Sequence, residues 1–179
     1  PVRACVRGHY QVDEPFSYGS LRFKNRIGLS AGFDKKAGKF DELADFGFGF
    51  LEVGTVTPDY QPGNPPPRIF RLVEDESLIS RTGFNNCGVD VALEHIRKYR
   101  KHSYRLGVNI NKNPLSAGEQ IIKDFELVFT RLYESVDYFT LNWGSIDKES
   151  FAKVLENFTT FREAVNKRCS IFIKLPADI

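Results

Sequence analysis

Five short apolar runs, each closing on small or polar residues, recur along this chain of 179 residues and are separated by segments with helical spacing. The runs predict strands over residues 27–32, 49–54, 105–110, 136–142 and 170–175. Between them, Phe40, Leu43, Ala44 and Phe46 fall at roughly helical spacing, with Gly47 where a helix would stop. Val89, Ala92, Leu93 and Ile96 mark a second helix face. Ile121, Phe125, Val128, Phe129 and Leu132 mark a third, and Phe151, Val154, Leu155, Phe158 and Val165 a fourth. Strand and helix thus alternate four times before a fifth strand.

Apolar strands joined by helices imply a parallel sheet. Two architectures satisfy that order, an open doubly wound sheet and a closed barrel. The strands end in Gly32 and Lys35, Thr55, Asn109, Asn142 and Lys174. Groups with ligand chemistry at the ends of many strands favour the barrel, whose mouth is ringed by such positions. An open sheet would concentrate them at one switch point, usually beside a Gly-rich phosphate loop, and neither common phosphate-loop pattern occurs in the sequence. A complete (β/α)8 barrel needs about 250 residues, so the expectation is a partial barrel of TIM type holding its first five strands.

The 41% apolar and 27% charged content describes one soluble globular domain, residues 1–179, with 1–25 as an irregular N-terminal extension. Leu21 and Phe23 in that extension can form a short strand against the domain floor. Prolines 58, 62, 65, 66 and 67 make the next stretch a rigid excursion, followed by a hairpin of Ile69–Leu72 with Ser77–Ser80. A net charge of +2 gives no footprint for nucleic acid. Cys5, Cys87 and Cys169 match neither a disulfide framework nor a metal spacing, so a reducing cytoplasm is the default. His9, His95 and His102 share no metal spacing either, and no metal is expected. No run is long enough to cross a bilayer and no signal-peptide pattern is present. The lack of Met implies that the natural start lies outside the chain.

Several blocks carry more specific information. In order they are Gly28-Leu29-Ser30-Ala31-Gly32-Phe33-Asp34-Lys35, Glu52-Val53-Gly54-Thr55-Val56-Thr57-Pro58, Gln61-Pro62-Gly63-Asn64-Pro65, Pro67-Arg68-Ile69-Phe70-Arg71-Leu72, Arg81-Thr82-Gly83-Phe84-Asn85-Asn86 and Asn109-Ile110-Asn111-Lys112-Asn113. Together they resemble the class 2, quinone-linked dihydroorotate dehydrogenases over most of residues 22–113. The resemblance implies a barrel that holds flavin mononucleotide (FMN) and oxidises dihydroorotate to orotate in pyrimidine biosynthesis, with a quinone as electron acceptor. It implies a cytoplasmic protein able to associate peripherally with the inner membrane. By the same resemblance, Ala31, Gly32, Lys35, Thr55, Asn109, Asn142 and Lys174 face the flavin. Lys35, Ser80, Arg81, Thr82, Gly83, Phe84, Asn142 and Asp147 line the substrate pocket, and Ser145 takes the position of the catalytic base.

The chain departs from the family pattern after its fourth strand. Class 2 sequences read Asn, Val or Ile, Ser, Ser, Pro, Asn, Thr there, whereas this chain reads Asn142-Trp143-Gly144-Ser145-Ile146-Asp147-Lys148. The Pro is gone, Asp147 stands where a substrate-binding Asn is usual, and the following loop is shortened. Ser80 likewise stands where an Asn is usual. A carboxylate at 147 opposes an anionic substrate, and a shortened lid exposes Ser145 to water. The expectation is that the chain alone is inactive. The alternative is a non-catalytic fragment or degenerate paralogue with a binding or structural role.

Overall fold

The computed structural model describes residues 6, 9–100, 104–165 and 169–176; Cys5 and His102 lie outside them. In chain order, the hairpin β1 (Phe16–Tyr18) and β2 (Leu21–Phe23) leads to β3 (Gly28–Leu29), the one-turn helix α1 (Phe40–Leu43), a 3-10 turn at Ala44–Phe46 and β4 (Phe50–Val56). A second hairpin, β5 (Ile69–Leu72) and β6 (Ser77–Ser80), precedes α2 (Val89–Tyr99) and β7 (Arg105–Ile110). Helix α3 (Glu119–Leu132), β8 (Tyr138–Asn142), α4 (Lys148–Ala164) and β9 (Ser170–Lys174) complete it.

Strands β3, β4, β7, β8 and β9 lie side by side in that order, and every pairing is parallel. A doubly wound sheet would reverse direction partway. The sequential order is that of a barrel wall, and the chain forms a partial α/β barrel. Alternation along the strands separates two faces. Leu51, Val53, Leu106, Val108, Phe139 and Leu141 are fully buried with Ile96, Phe125, Phe129 and Phe158 of the helices. Phe50, Glu52, Tyr138, Thr140, Phe172 and Lys174 line a cavity of about 460 Å3 on the opposite, inner face.

An aromatic floor closes the lower end of that inner face. Phe16 of β1 stacks on Phe23 of β2 at 4.9 Å, Phe23 meets Phe50 edge-on at 5.1 Å, and Tyr138 meets Phe172 at 5.2 Å. The floor requires Gly107: a Cβ there would lie 2.1 Å from the Tyr138 ring.

The first strand is shorter than residues 27–32. Gly32 N–H donates to Gly54 O at 2.9 Å and Gly54 N–H to Asp34 O at 3.1 Å, so the chain turns across the end of β4. The Asp34 carboxylate then accepts from the backbone of Gly38, Lys39 and Phe40 at 2.7–3.1 Å. Local side-chain-to-backbone bonds replace the sheet ladder here, and Ile27, expected in a buried strand, is 61% exposed. The fourth strand begins at Tyr138 because the Asp137 carboxylate takes the Leu106 N–H at 2.8 Å and pairs with Arg100 and Arg105. Residues 16–18, read as irregular, pair with β2. The second hairpin forms where expected.

Candidate functional site

The upper ends of β4, β7 and β8 carry a continuous polar cluster. Thr55 Oγ1 donates to Asn109 Oδ1 at 2.7 Å, and Asn142 Nδ2 donates to the same oxygen at 3.1 Å and to Thr55 Oγ1 at 3.4 Å. Asn109 Nδ2 turns the other way and donates to Glu52 Oε1 at 3.1 Å, while Thr140 Oγ1 donates to Glu52 Oε2 at 2.7 Å. Asn109 is fully buried and Thr55 and Asn142 nearly so, so each amide must find its partners inside the protein. Thr55 reaches the cluster because the β4–β7 register shifts between Gly54 and Val56, a bulge that re-aims a side chain. Gly54 adopts φ +102°, and a Cβ on it would sit 2.5 Å from Asn109 O, so only glycine permits this approach.

Two loops frame the cluster. Lys35, past the end of β3, donates from Nζ to Asn85 Oδ1 at 2.9 Å. Burial first, and the Arg68 charge second, hold its ammonium below the usual lysine range. The loop after β6 is pinned by Asn86, which donates to Thr57 Oγ1 at 2.9 Å and Phe84 O at 2.7 Å and accepts from Gly88 N–H at 2.8 Å. Asn64 N–H donates to Thr82 O and Asn64 Nδ2 to Arg81 O, joining this loop to the proline-rich excursion. Thr82, Gly83 and Phe84 are thereby half-buried, while Ser80 and Arg81 stay exposed. A Cβ on Gly144 would lie 3.0 Å from Asn111 Nδ2, 3.4 Å from the Phe84 ring and 3.7 Å from Asn142 Oδ1. Phe84, Gly144 and Asn142 therefore meet.

Lys174 ends β9 opposite Asn142 in the register and shares the cavity with Ser30, Ala31, Glu52 and Thr140. Tyr138 lies below Glu52; burial and the Glu52 carboxylate push its phenol far above the ordinary tyrosine range.

The turn after β8 takes a form the sequence did not suggest. Trp143 stacks on Phe151 at 4.8 Å and its Nε1–H donates to Ile146 O at 2.7 Å. Asp147 caps α4, its carboxylate accepting Ser150 N–H at 2.8 Å, and this bond holds it below the usual carboxylate range. Ser145 stands exposed at the crest of the turn.

The structure thus brings together Thr55, Asn109 and Asn142, places Ala31 and Lys174 on the cavity wall, and joins Lys35 to the loop that carries Phe84. It engages the Asp147 carboxylate in a helix cap. Glu52, Thr140, Asn85 and Asn111 join these residues in the structure, although the sequence motifs do not single them out as site residues. The signal for Glu52 was its place two residues from Phe50 and Gly54 on a strand whose intervening positions are core. Among the described residues, no group of His, Cys, Asp and Glu could hold a metal ion, and no helix is long and apolar enough to cross a membrane.

The comparisons with known proteins agree on one family. The dihydroorotate dehydrogenase family model matches residues 17–179. A dihydroorotate dehydrogenase (quinone) of Polaromonas naphthalenivorans is 39% identical over 188 residues, covering 94% of this chain and 54% of that protein. One from Methylibium petroleiphilum is 46% identical over 143 residues, covering 79% of this chain and 42% of its own length. Among solved structures, the dihydroorotate dehydrogenase of Eimeria tenella in complex with ferulenol superposes with a TM-score of 0.84 at 28% identity, over 99% of this chain and 58% of that one. The chain spans about half the length of the curated relatives it matches. With its sequential parallel sheet and its polar strand ends, it belongs to the dihydroorotate dehydrogenase family.

Proposed function

We propose that this chain forms one wall of an FMN site and serves the quinone-linked oxidation of dihydroorotate to orotate. The observation that carries this reading is the Thr55–Asn109–Asn142 cluster, held in register beside Lys174 on the cavity. The donor set suits a flavin. The Lys174 ammonium has no hydrogen-bond or ion-pair partner among the described residues, and a Cβ on Gly32 would meet nothing within 4 Å, so a flat ring has room beside the backbone.

Bound FMN supplies the acceptor for the hydride that leaves substrate C6. Lys174 offers positive charge where negative charge grows during that transfer. Lys35 and the Thr82–Phe84 backbone suit a substrate carboxylate and ring edge, with Ser80 and Arg81 at the rim. Ser145 is placed in the sequence to take the C5 proton, and a serine does so only where water is excluded. The quinone-linked relatives support a quinone acceptor, and the reading extends to a cytoplasmic protein resting on the inner membrane.

The exposure of Ser145 and the capping role of Asp147 favour a second reading, in which the chain binds flavin but has no catalytic role. The first test is titration of FMN into the chain, followed by quenching of flavin fluorescence. Saturable quenching that weakens in Asn109→Leu and Lys174→Met is the expected result. Failure of the wild-type chain to quench overturns the reading.

A further inference from the structure

We infer that Glu52 is a positioning residue, whose carboxylate sets the orientation of the Asn109 and Asn142 amides and so decides which atom of Asn142 faces a ligand. The inference deepens the flavin reading and rests on it for its ligand, but its geometric part stands alone.

A carboxylate is acceptor-only, whereas an amide side chain has a donor end and an acceptor end. Glu52 therefore meets Asn109 only through Nδ2, at 3.1 Å. That choice forces Asn109 Oδ1 upward, where it accepts from Thr55 Oγ1 at 2.7 Å and Asn142 Nδ2 at 3.1 Å. The Thr55 hydroxyl, having donated, has its lone pairs left for Asn142 Nδ2 at 3.4 Å. Both N–H groups of Asn142 are then committed, and its Oδ1, beside Gly144, remains as an acceptor for a ligand N–H. The direction of every bond follows from one group. Thr140 Oγ1 steadies the other carboxylate oxygen at 2.7 Å, so Glu52 cannot swing away without losing two bonds. Were residue 52 apolar, Asn109 would be free to turn over and Asn142 to present N–H instead of oxygen.

The test compares Glu52→Leu with Glu52→Gln in the full chain. Gln keeps one oxygen for Asn109 Nδ2, and its amide can donate to Thr140 Oγ1, which accepts as well as donates. The first readout is solvent exchange of the Asn109 and Asn142 side-chain N–H groups by NMR, without flavin. Protection is expected in the wild type and in Glu52→Gln, and loss in Glu52→Leu. The second is FMN affinity by fluorescence quenching, expected to fall about tenfold or more in Glu52→Leu, as for loss of a hydrogen bond to a charged group, and to recover in Glu52→Gln. Should Glu52→Leu fail to fold, Thr140→Val, which removes one anchor of the carboxylate, is expected to raise Asn109 exchange. Unchanged Asn142 protection in a folded Glu52→Leu protein overturns the inference, as does loss of protection in Glu52→Gln or unchanged Asn109 exchange in Thr140→Val. Failure of the wild type to bind FMN counts against the flavin reading alone, because the exchange measurement still decides the role of Glu52.

Discussion

Lys35 Nζ donates to Asn85 Oδ1 at 2.9 Å, joining two loops that are fifty residues apart in the chain. Burial and the Arg68 charge depress the folded-state pKa of Lys35 below its ordinary 10.5. Between that lowered value and 10.5, the folded protein has released a proton that the unfolded chain still binds. Stability therefore rises with pH across this window. Urea unfolding at steps from pH 8 upward should show that rise in the wild type and a weaker one in Lys35→Met. Parallel profiles would show that Lys35 titrates alike in both states.

Gly107 and Tyr138 make a second test, of the aromatic floor. A methyl at 107 would meet the Tyr138 ring at 2.1 Å, so Gly107→Ala should cost about 1–3 kcal/mol by overpacking. Denaturant midpoints measure this, and Tyr138→Leu in the Gly107→Ala background should return part of the loss. A neutral Gly107→Ala would show that the ring moves aside freely.

Asp147 is read from the structure as a cap of α4, its carboxylate held below the usual range by Ser150 N–H. Because the folded pKa is depressed, the stabilisation is present above the unfolded carboxylate value and is lost as pH falls through the folded one. Asp147→Ala should lower the thermal midpoint at neutral pH and Asp147→Asn should largely keep it, since Asn caps as well as Asp. If Asp147 instead repels an anionic substrate, Asp147→Asn would tighten orotate binding with no change in midpoint.

These cases mark what was legible in the sequence. Strands β4, β7, β8 and β9 were visible because their apolar alternation is strong and flanked by amphipathic helices, and their ends pointed to Thr55, Asn109, Asn142 and Lys174. Strand β3 is shorter than its apolar run: Ile27 and Ser30–Gly32 look like strand, but the Asp34 carboxylate draws the backbone into a turn. The β1 strand is not legible because, beyond the adjacent β2, Phe16 and Tyr18 pack against distant β4 and β9. Glu52 was missed for a related reason. Alternation along β4 puts Glu52 on the same face as Phe50, but that pattern does not name its partners, which only the neighbouring strands supply as Asn109 and Thr140.

Lys174 supplies a prediction about the flavin itself. Positive charge beside the ring favours the reduced, more negative form, so Lys174→Met should make the bound FMN potential more negative and weaken binding by about tenfold. Spectroelectrochemical titration measures the first and fluorescence quenching the second. An unchanged potential would show that Lys174 does not face the ring.

The final prediction is that the 179-residue chain binds flavin but does not turn over dihydroorotate. The inner face is lined by Phe50, Tyr138 and Phe172 below and by Glu52, Thr140 and Lys174 above, and its cavity opens to solvent. Ser145 lies exposed on a turn closed by Trp143 and Ile146. Water at that hydroxyl competes for the proton it should take, and a serine with no excluded water is a weak base. Stopped-flow mixing of the chain at saturating FMN with dihydroorotate, under anaerobic conditions, should leave the flavin absorbance unchanged. Rapid bleaching that disappears in Ser145→Ala would overturn the prediction and show that five strands suffice for the chemistry. If activity instead appears when the C-terminal part of a related quinone-linked enzyme is added in trans, water exclusion by the completed barrel is what Ser145 lacks. Continued inactivity in that mixture would place the defect in the turn from Trp143 to Asp147.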